Sequence, residues 1–267
     1  MGKVAEIKLS NIDNFHHDDF LRSLLMGIRS IDSKKGTDNA LIIRGLGGGS
    51  AKAIKRCWDT NRPFYAIDTG YFGNSKKKLW HRITHNALQN MNTIAERPFD
   101  RLELQLKKEW NEIYKPFTPG SKILVCPPSD KVMNMFGQAN AAEYTATLVQ
   151  KIKEITDRPV EIRMKPVRSE RVTGTTIQDA LRDDVHCLIT YNSIAATEAL
   201  MEGKPAITLG PNAAQLICET DLENIETPRI PTEDEMYAFL THLSYAQFTQ
   251  EEMKDGTAWK ILQGEDV

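Results

Sequence analysis

Apolar runs rich in branched residues recur along the chain, each followed by a turn signal and then a stretch with helical spacing. Ala40–Ile43 (ALII) leads into Arg44–Ser50 (RGLGGGS), after which Ala51–Thr60 is amphipathic. Phe64–Ile67 leads into Asp68–Asn74 (DTGYFGN), and Ser75–Tyr114 is long, polar and permissive of helix. Lys115–Ser121 (KPFTPGS) carries two prolines and a glycine and is the best linker in the chain. Beyond it the alternation is regular: Ile123–Cys126 reads as a strand, Pro127–Asp130 as a loop and Ala139–Thr156 as a helix. Val160–Met164, Val185–Thr190 and Ala206–Leu209 read as strands, with helices at Ile177–Arg182 and Ser193–Glu202. Strands alternating with helices imply parallel βαβ units with right-handed crossovers. The expected fold is α/β with two Rossmann-like lobes, residues 1–117 and 118–267, with Glu233–Leu262 forming terminal helices of the second.

Composition is that of an ordinary globular protein, 40% hydrophobic and 26% charged, which excludes disordered and fibrous classes. No apolar run approaches the roughly 18 residues of a membrane span, and the first residues have no signal-peptide apolar core. A soluble, cytoplasmic protein with no membrane partner is expected. The net charge of −2 hides an asymmetry. Residues 44–122 hold fifteen Lys/Arg against seven Asp/Glu, whereas residues 201–267 hold four against thirteen. The N-terminal half suits a polyanion, although a solvated charged face gives the same count. Cys57, Cys126, Cys187 and Cys218 form no CxxC, and Cys126 and Cys187 lie in strand-like runs as buried free thiols. Neither a zinc site nor a disulfide is expected.

In an open parallel sheet the ligand sits beyond the carboxyl ends of the strands, so the residues just after each strand carry the chemistry. Tyr191, Asn192 and Ser193 follow one strand; Ser193 can cap a helix whose free N–H groups hold a phosphate, with Glu198 reaching a ribose hydroxyl. An ordinary N-cap is the plainer alternative. Ser129 follows a second strand, and Lys165 and Arg168 follow a third, where they would neutralise a diphosphate.

The run Ile189–Pro211 (ITYNSIAATEALMEGKPAITLGP) resembles the nucleotide-sugar-binding segment of GT-B glycosyltransferases, most of all the capsular-polysaccharide type. Arg163–Lys165–Pro166 resembles their basic-Pro donor motif, with Lys where many relatives carry His. Leu243–Gly256 (LSYAQFTQEEMKDG) resembles their C-terminal signature. Phe64–Gln89 resembles a segment of small bacteriophage glycosyltransferases that modify hydroxymethylated pyrimidines in DNA. These resemblances imply a GT-B-like pair of lobes with the ligand cleft between them. They imply a nucleotide-sugar co-substrate, expected to be a UDP-sugar, in the second lobe, an acceptor in the first, and no metal.

The donor set is then Ser129, Lys165, Arg168, Tyr191, Asn192, Ser193 and Glu198. The acceptor set is Arg44, Gly47, Gly48, Tyr71, Lys77, Arg82 and Asn86, with Asp68 the expected catalytic base. DNA is the first expected acceptor, its base flipped out of the duplex, in the cytoplasm of an infected host cell if the protein is phage-encoded. A polysaccharide or lipid-linked acceptor is the alternative, and a non-catalytic nucleotide-binding α/β protein a third reading. The Gly47–Gly49 run also reads as a flexible turn, and Asp68 as an Asx turn. His81 and His85, four residues apart, lack a third ligand and read as a structural pair.

Overall fold

The structure, a computed structural model, describes residues 4–6, 18–31, 40–47, 49–74, 78–138, 140–165 and 176–264. Its first elements are β1 (Val4–Glu6), α1 (Asp19–Ile31), β2 (Leu41–Arg44), α2 (Ser50–Asp59), β3 (Phe64–Thr69) and β4 (His81–His85). Next come α3 (Asp100–Leu106), α4 (Trp110–Ile113), β5 (Lys122–Cys126), α5 (Asp130–Met135), α6 (Ala141–Ile155) and β6 (Val160–Ile162). Then follow α7 (Ile177–Arg182), β7 (Val185–Thr190), α8 (Ala195–Met201) and β8 (Ala206–Thr208). The last are α9 (Glu233–Ser244), β9 (Gln247–Phe248), α10 (Gln250–Asp255) and α11 (Thr257–Leu262).

Met1–Asn90 together with Leu243–Val267 make one unit. Its sheet runs β1-β2-β3-β4-β9, with β2 and β3 parallel and the other pairs antiparallel. Helix α1 places Leu21, Leu24, Leu25 and Ile28 at the spacing of one helix face, and that face is buried against Ile42, Ile67, Ile83, Met253 and Trp259. Helix α2 buries Ile54 and Cys57, and Trp58 meets the Phe64 ring at 6.2 Å on the sheet's other face.

Met91–His242 form the second unit, a four-stranded parallel sheet in the order β6-β5-β7-β8. Its inner strands β5 and β7 are largely apolar because both faces are covered: Ile123, Val125, Cys187 and Ile189 pack with Leu148 and Ile152 of α6, and Leu124 and Leu188 are buried on the other face, whereas the edge strand β6 is partly exposed. All four cysteines are free and buried, as expected for Cys126 and Cys187. Burial pushes the Cys126 and Cys187 thiols up to about 12.

Both sheets agree with the α/β expectation, but three features depart from the pattern. The chain passes between units at Asn90–Met91 and again at His242–Leu243, instead of once near residue 117. The cause is β9, which pairs with β4 and brings α10 and α11 onto α1. The proline-rich 115–121 segment is internal to the second unit: the Lys204 ammonium donates to the Thr118 hydroxyl at 2.8 Å, and a Cβ on Gly203 would meet the Pro116 carbonyl. Finally, His81–His85 lies within the stretch read as helix-permissive, yet pairs residue for residue with Tyr65–Thr69. Cross-strand pairing with a strand already in place outweighs its weak local preference.

Candidate functional site

The carboxyl ends of the second unit's strands form one edge, since Cys126 stands beside Thr190 and Thr190 beside Thr208. From β5 the chain goes to β6 on one side, then returns past β5 to β7 on the other. The strand order reverses between β5 and β7, which is where open α/β sheets hold ligands. Residues 127–129 and 191–193 are the loops on either side of that point.

Two buried side chains knit this edge. The Thr190 hydroxyl donates to the Cys126 carbonyl at 2.8 Å and accepts from the Ser193 amide at 3.4 Å. Beyond β8, Asn212 donates through Nδ2 to the Ser193 carbonyl at 2.9 Å and accepts at Oδ1 from the Ala214 amide at 3.0 Å. Tyr191 is buried against Gly210, where a Cβ would come within 2.5 Å of its ring, and meets the rings of Phe136 and Tyr144. The Ser193 hydroxyl accepts from the Ala195 amide at 3.2 Å, which leaves its own proton to donate outward. In the first turn of α8 the Thr197 hydroxyl is fully buried with no hydrogen-bond partner among the described residues.

The remaining donor candidates divide. Ser129 is exposed and precedes α5, and Asn192 is half-buried in the 191–193 loop. Lys165 is exposed, on a segment held to the same edge by the bond from the Arg163 amide to the Val125 carbonyl. Glu198 accepts from Gln178 of α7 at 3.3 Å. Arg163 and Glu198 both act on the Cys126 thiol, one lowering and the other raising its pKa. Arg168 lies outside the described residues. The helix behind Ser193 has seven residues and uses the serine hydroxyl on its own Ala195 amide, so its end is not the open phosphate site expected from the sequence. Sequence reading gave no role to Thr190, Thr197 or Asn212. Only Asn212 carried a signal, an Asn three residues ahead of Gln215 after Gly-Pro, which folds as a capping box.

In the first unit the edge beyond β2 and β3 bears Arg44 and Asp68. Arg44 stands beside Ile67 and belongs to the α1 face, whereas Asp68 alternates with Ala66 and Phe64 to the α2 face. Arg44 Nη1 donates to both carboxylate oxygens of Asp18, and its guanidinium lies 4.1 Å from the Phe20 ring. Asp68 accepts from the Thr69 amide at 2.7 Å and pairs with Arg82 at 3.2 Å, and its side chain is 48% exposed. The Arg82 guanidinium is buried and also donates to the carbonyls of Thr69 and Leu88.

Several acceptor assignments are corrected by this geometry. Tyr71 is buried, its hydroxyl accepting from the Asn90 amide at 2.7 Å, so neither it nor Arg82 presents a surface. Asn86 follows β4 beside Phe64, at the opposite end of the strand from Asp68, and accepts from the Phe64 amide, continuing the β3–β4 pairing by one residue. Gly70, two residues beyond Asp68, is packed closely: a Cβ there would lie 2.7 Å from Gln247 Oε1. An added Cβ on Gly47 or Gly49 would meet nothing within 4 Å among the described residues, so no packing demand accounts for glycine there. Gly48 and Lys77 lie outside the described residues. His81 and His85 sit on a strand, roughly 13 Å apart at about 3.3 Å per residue, too far to share an ion.

No protein-family model matches the chain, and neither does any curated protein sequence. Among solved structures, one similar chain is the beta Kdo 2,4 transferase of Thermosulfurimonas dismutans KpsC, with 16% identity over 78% of this chain and 80% of that one, and a TM-score of 0.46. Another is the beta Kdo 2,7 transferase of the same KpsC, with 12% identity, 86% and 88% coverage and a TM-score of 0.45.

Proposed function

We propose that the chain is a glycosyltransferase whose second unit holds a nucleotide-sugar and whose first unit offers an acceptor hydroxyl to Asp68. The observation that carries this reading is the second unit's switch point, flanked by the Ser129 and Tyr191–Ser193 loops and braced by Thr190 and Asn212. Such an edge suits a phosphate-bearing ligand: the Ser193 hydroxyl has a proton to donate, and Lys165 is an exposed cation beyond β6, on the other side of β5. The sequence resemblance of Ile189–Pro211 to nucleotide-sugar sites converges on the same residues.

Transfer to a hydroxyl needs a proton acceptor at the nucleophile and stabilisation of the departing diphosphate. Asp68 suits the first task, being half-exposed and oriented by a buried arginine. Lys165 and Ser193 suit the second. A saccharide hydroxyl is the acceptor we favour over a DNA pyrimidine, because Tyr71 and Arg82, two of the side chains expected to meet DNA, are spent on the scaffold. The test is a mass-spectrometric screen of UDP-, CMP-, GDP- and dTDP-sugars against oligosaccharides, plain DNA and hydroxymethylated DNA. A glycosylated oligosaccharide is expected. Sugar on hydroxymethylated DNA alone would restore the DNA reading, and no donor consumption at all would leave a non-catalytic protein.

A further inference from the structure

We infer that Asn212 is a positioning residue for the nucleotide-sugar, acting through Ser193; this rests on the proposed function of the second unit's edge. The residue is 1% exposed, and each half of its side-chain amide faces groups of one kind, backbone N–H at Oδ1 and a carbonyl at Nδ2. Oδ1 accepts from the Ala214 amide at 3.0 Å, and Nδ2 donates to the Ser193 carbonyl at 2.9 Å. Reversing the amide would set donor against donor and acceptor against acceptor, so the orientation is fixed by its surroundings.

The bond to Ser193 matters because of what else holds that turn. The Ser193 amide donates to Thr190 at 3.4 Å, the long end of the hydrogen-bond range, and its hydroxyl is engaged with Ala195. The Ser193 carbonyl also accepts from the Ala196 amide at 3.3 Å, and the 2.9 Å bond from Asn212 is the shortest of the four. Together with the Tyr191 ring on Gly210, it makes the loop after β8 the template for the loop after β7. A ligand contacting Ser193 is therefore aimed by a side chain nineteen residues away that need not touch it. Displacing a binding group by about 1 Å can cost on the order of 100-fold, so this brace is worth more to binding than one buried hydrogen bond is to folding.

The capping box supplies an internal control. Gln215 Oε1 accepts from the Asn212 backbone N–H at 3.4 Å and so supports the 3-10 turn Ala213–Leu216 that Asn212 caps, with no bond to Ser193 among the described residues. UDP, CMP, GDP and dTDP are titrated by calorimetry into the full chain, its Asn212→Ala, Asn212→Asp and Gln215→Ala variants, with melting temperatures recorded for each. We expect one nucleotide to bind, with Kd raised about 10- to 100-fold in Asn212→Ala. Asn212→Asp should lose at least as much, since it sets a carboxylate against the Ser193 carbonyl, while Gln215→Ala binds as the unaltered chain does. Unchanged Kd in Asn212→Ala overturns the positioning role alone, as does an equal loss in Gln215→Ala. If either Asn212 variant fails to fold, the other decides. Failure of every nucleotide to bind the unaltered chain overturns the reading of the edge itself, and the positioning role with it.

Discussion

Asp68 is both the proposed base and the partner of Arg82, and the two roles can be separated. Its Oδ2 pairs with Arg82, while the carboxylate stays about half exposed at the strand end. Asn keeps the shape and one acceptor oxygen but cannot take a proton, so Asp68→Asn should lower turnover by about 10²- to 10⁴-fold with nucleotide affinity unchanged. Near-normal turnover would remove the assignment. Gly70, two residues on, is a matter of packing. Its Cβ position lies 2.7 Å from Gln247 Oε1 and 3.0 Å from the Trp80 carbonyl, and Gln247 itself binds the Tyr71 amide and the Phe72 carbonyl. Overpacking there costs about 1–3 kcal/mol, so Gly70→Ala should lower the melting temperature while Gly47→Ala, with nothing near its Cβ, does not. Equal melting temperatures for the two would refute the packing role.

Among the elements, α9 carries a histidine that titrates against a backbone bond. His242, one residue before the chain returns to the first unit, accepts the Ala95 amide at Nδ1 over 3.1 Å. Accepting there requires an unprotonated Nδ1, so the neutral ring carries its proton on Nε2, and protonation removes the acceptor. Burial holds the ring below the ordinary histidine range, and the Arg97 charge adds to it. The folded value lies below the unfolded value of about 6.5, so the unfolded chain takes up the proton first as the pH falls. Stability is fully present above about pH 6.5 and declines as pH falls through the lowered folded value. Melts between pH 7.5 and 4.5 should show that decline, flattened in His242→Gln; an unchanged slope in the variant would contradict it. Elements of this kind were legible where periodicity was local: β7, α7 and the β5–β8 alternation appear in the sequence within a residue or two. What stayed hidden depends on distant partners. β4 is a strand because β3 is beside it, and Gln247 belongs to the first unit because Tyr71 and Phe72 receive it.

For the whole molecule the same contrast holds. The candidate donor edge was readable because strand ends are local features and the parallel topology brings them together. The acceptor set was harder, since Arg44, Tyr71 and Arg82 have the composition of a polyanion site but are consumed by Asp18, Asn90 and Asp68. Cations and aromatics look alike in sequence whether they serve a ligand or a buried network. Transfer should also survive chelator, with Lys165 and Ser193 supplying the charge and hydrogen bonds that stabilise the departing diphosphate; loss with EDTA and rescue by manganese would show that a divalent ion is required. The central claim is that the switch point of the second unit holds the nucleotide. Hydrogen exchange of the full chain with and without a saturating nucleotide-sugar from the screen tests it most directly. Slowed exchange confined chiefly to the amides of Ser129, residues 191–197, Leu209, Gly210 and Asn212 is the predicted result. Protection that leaves those loops untouched while appearing elsewhere would contradict it.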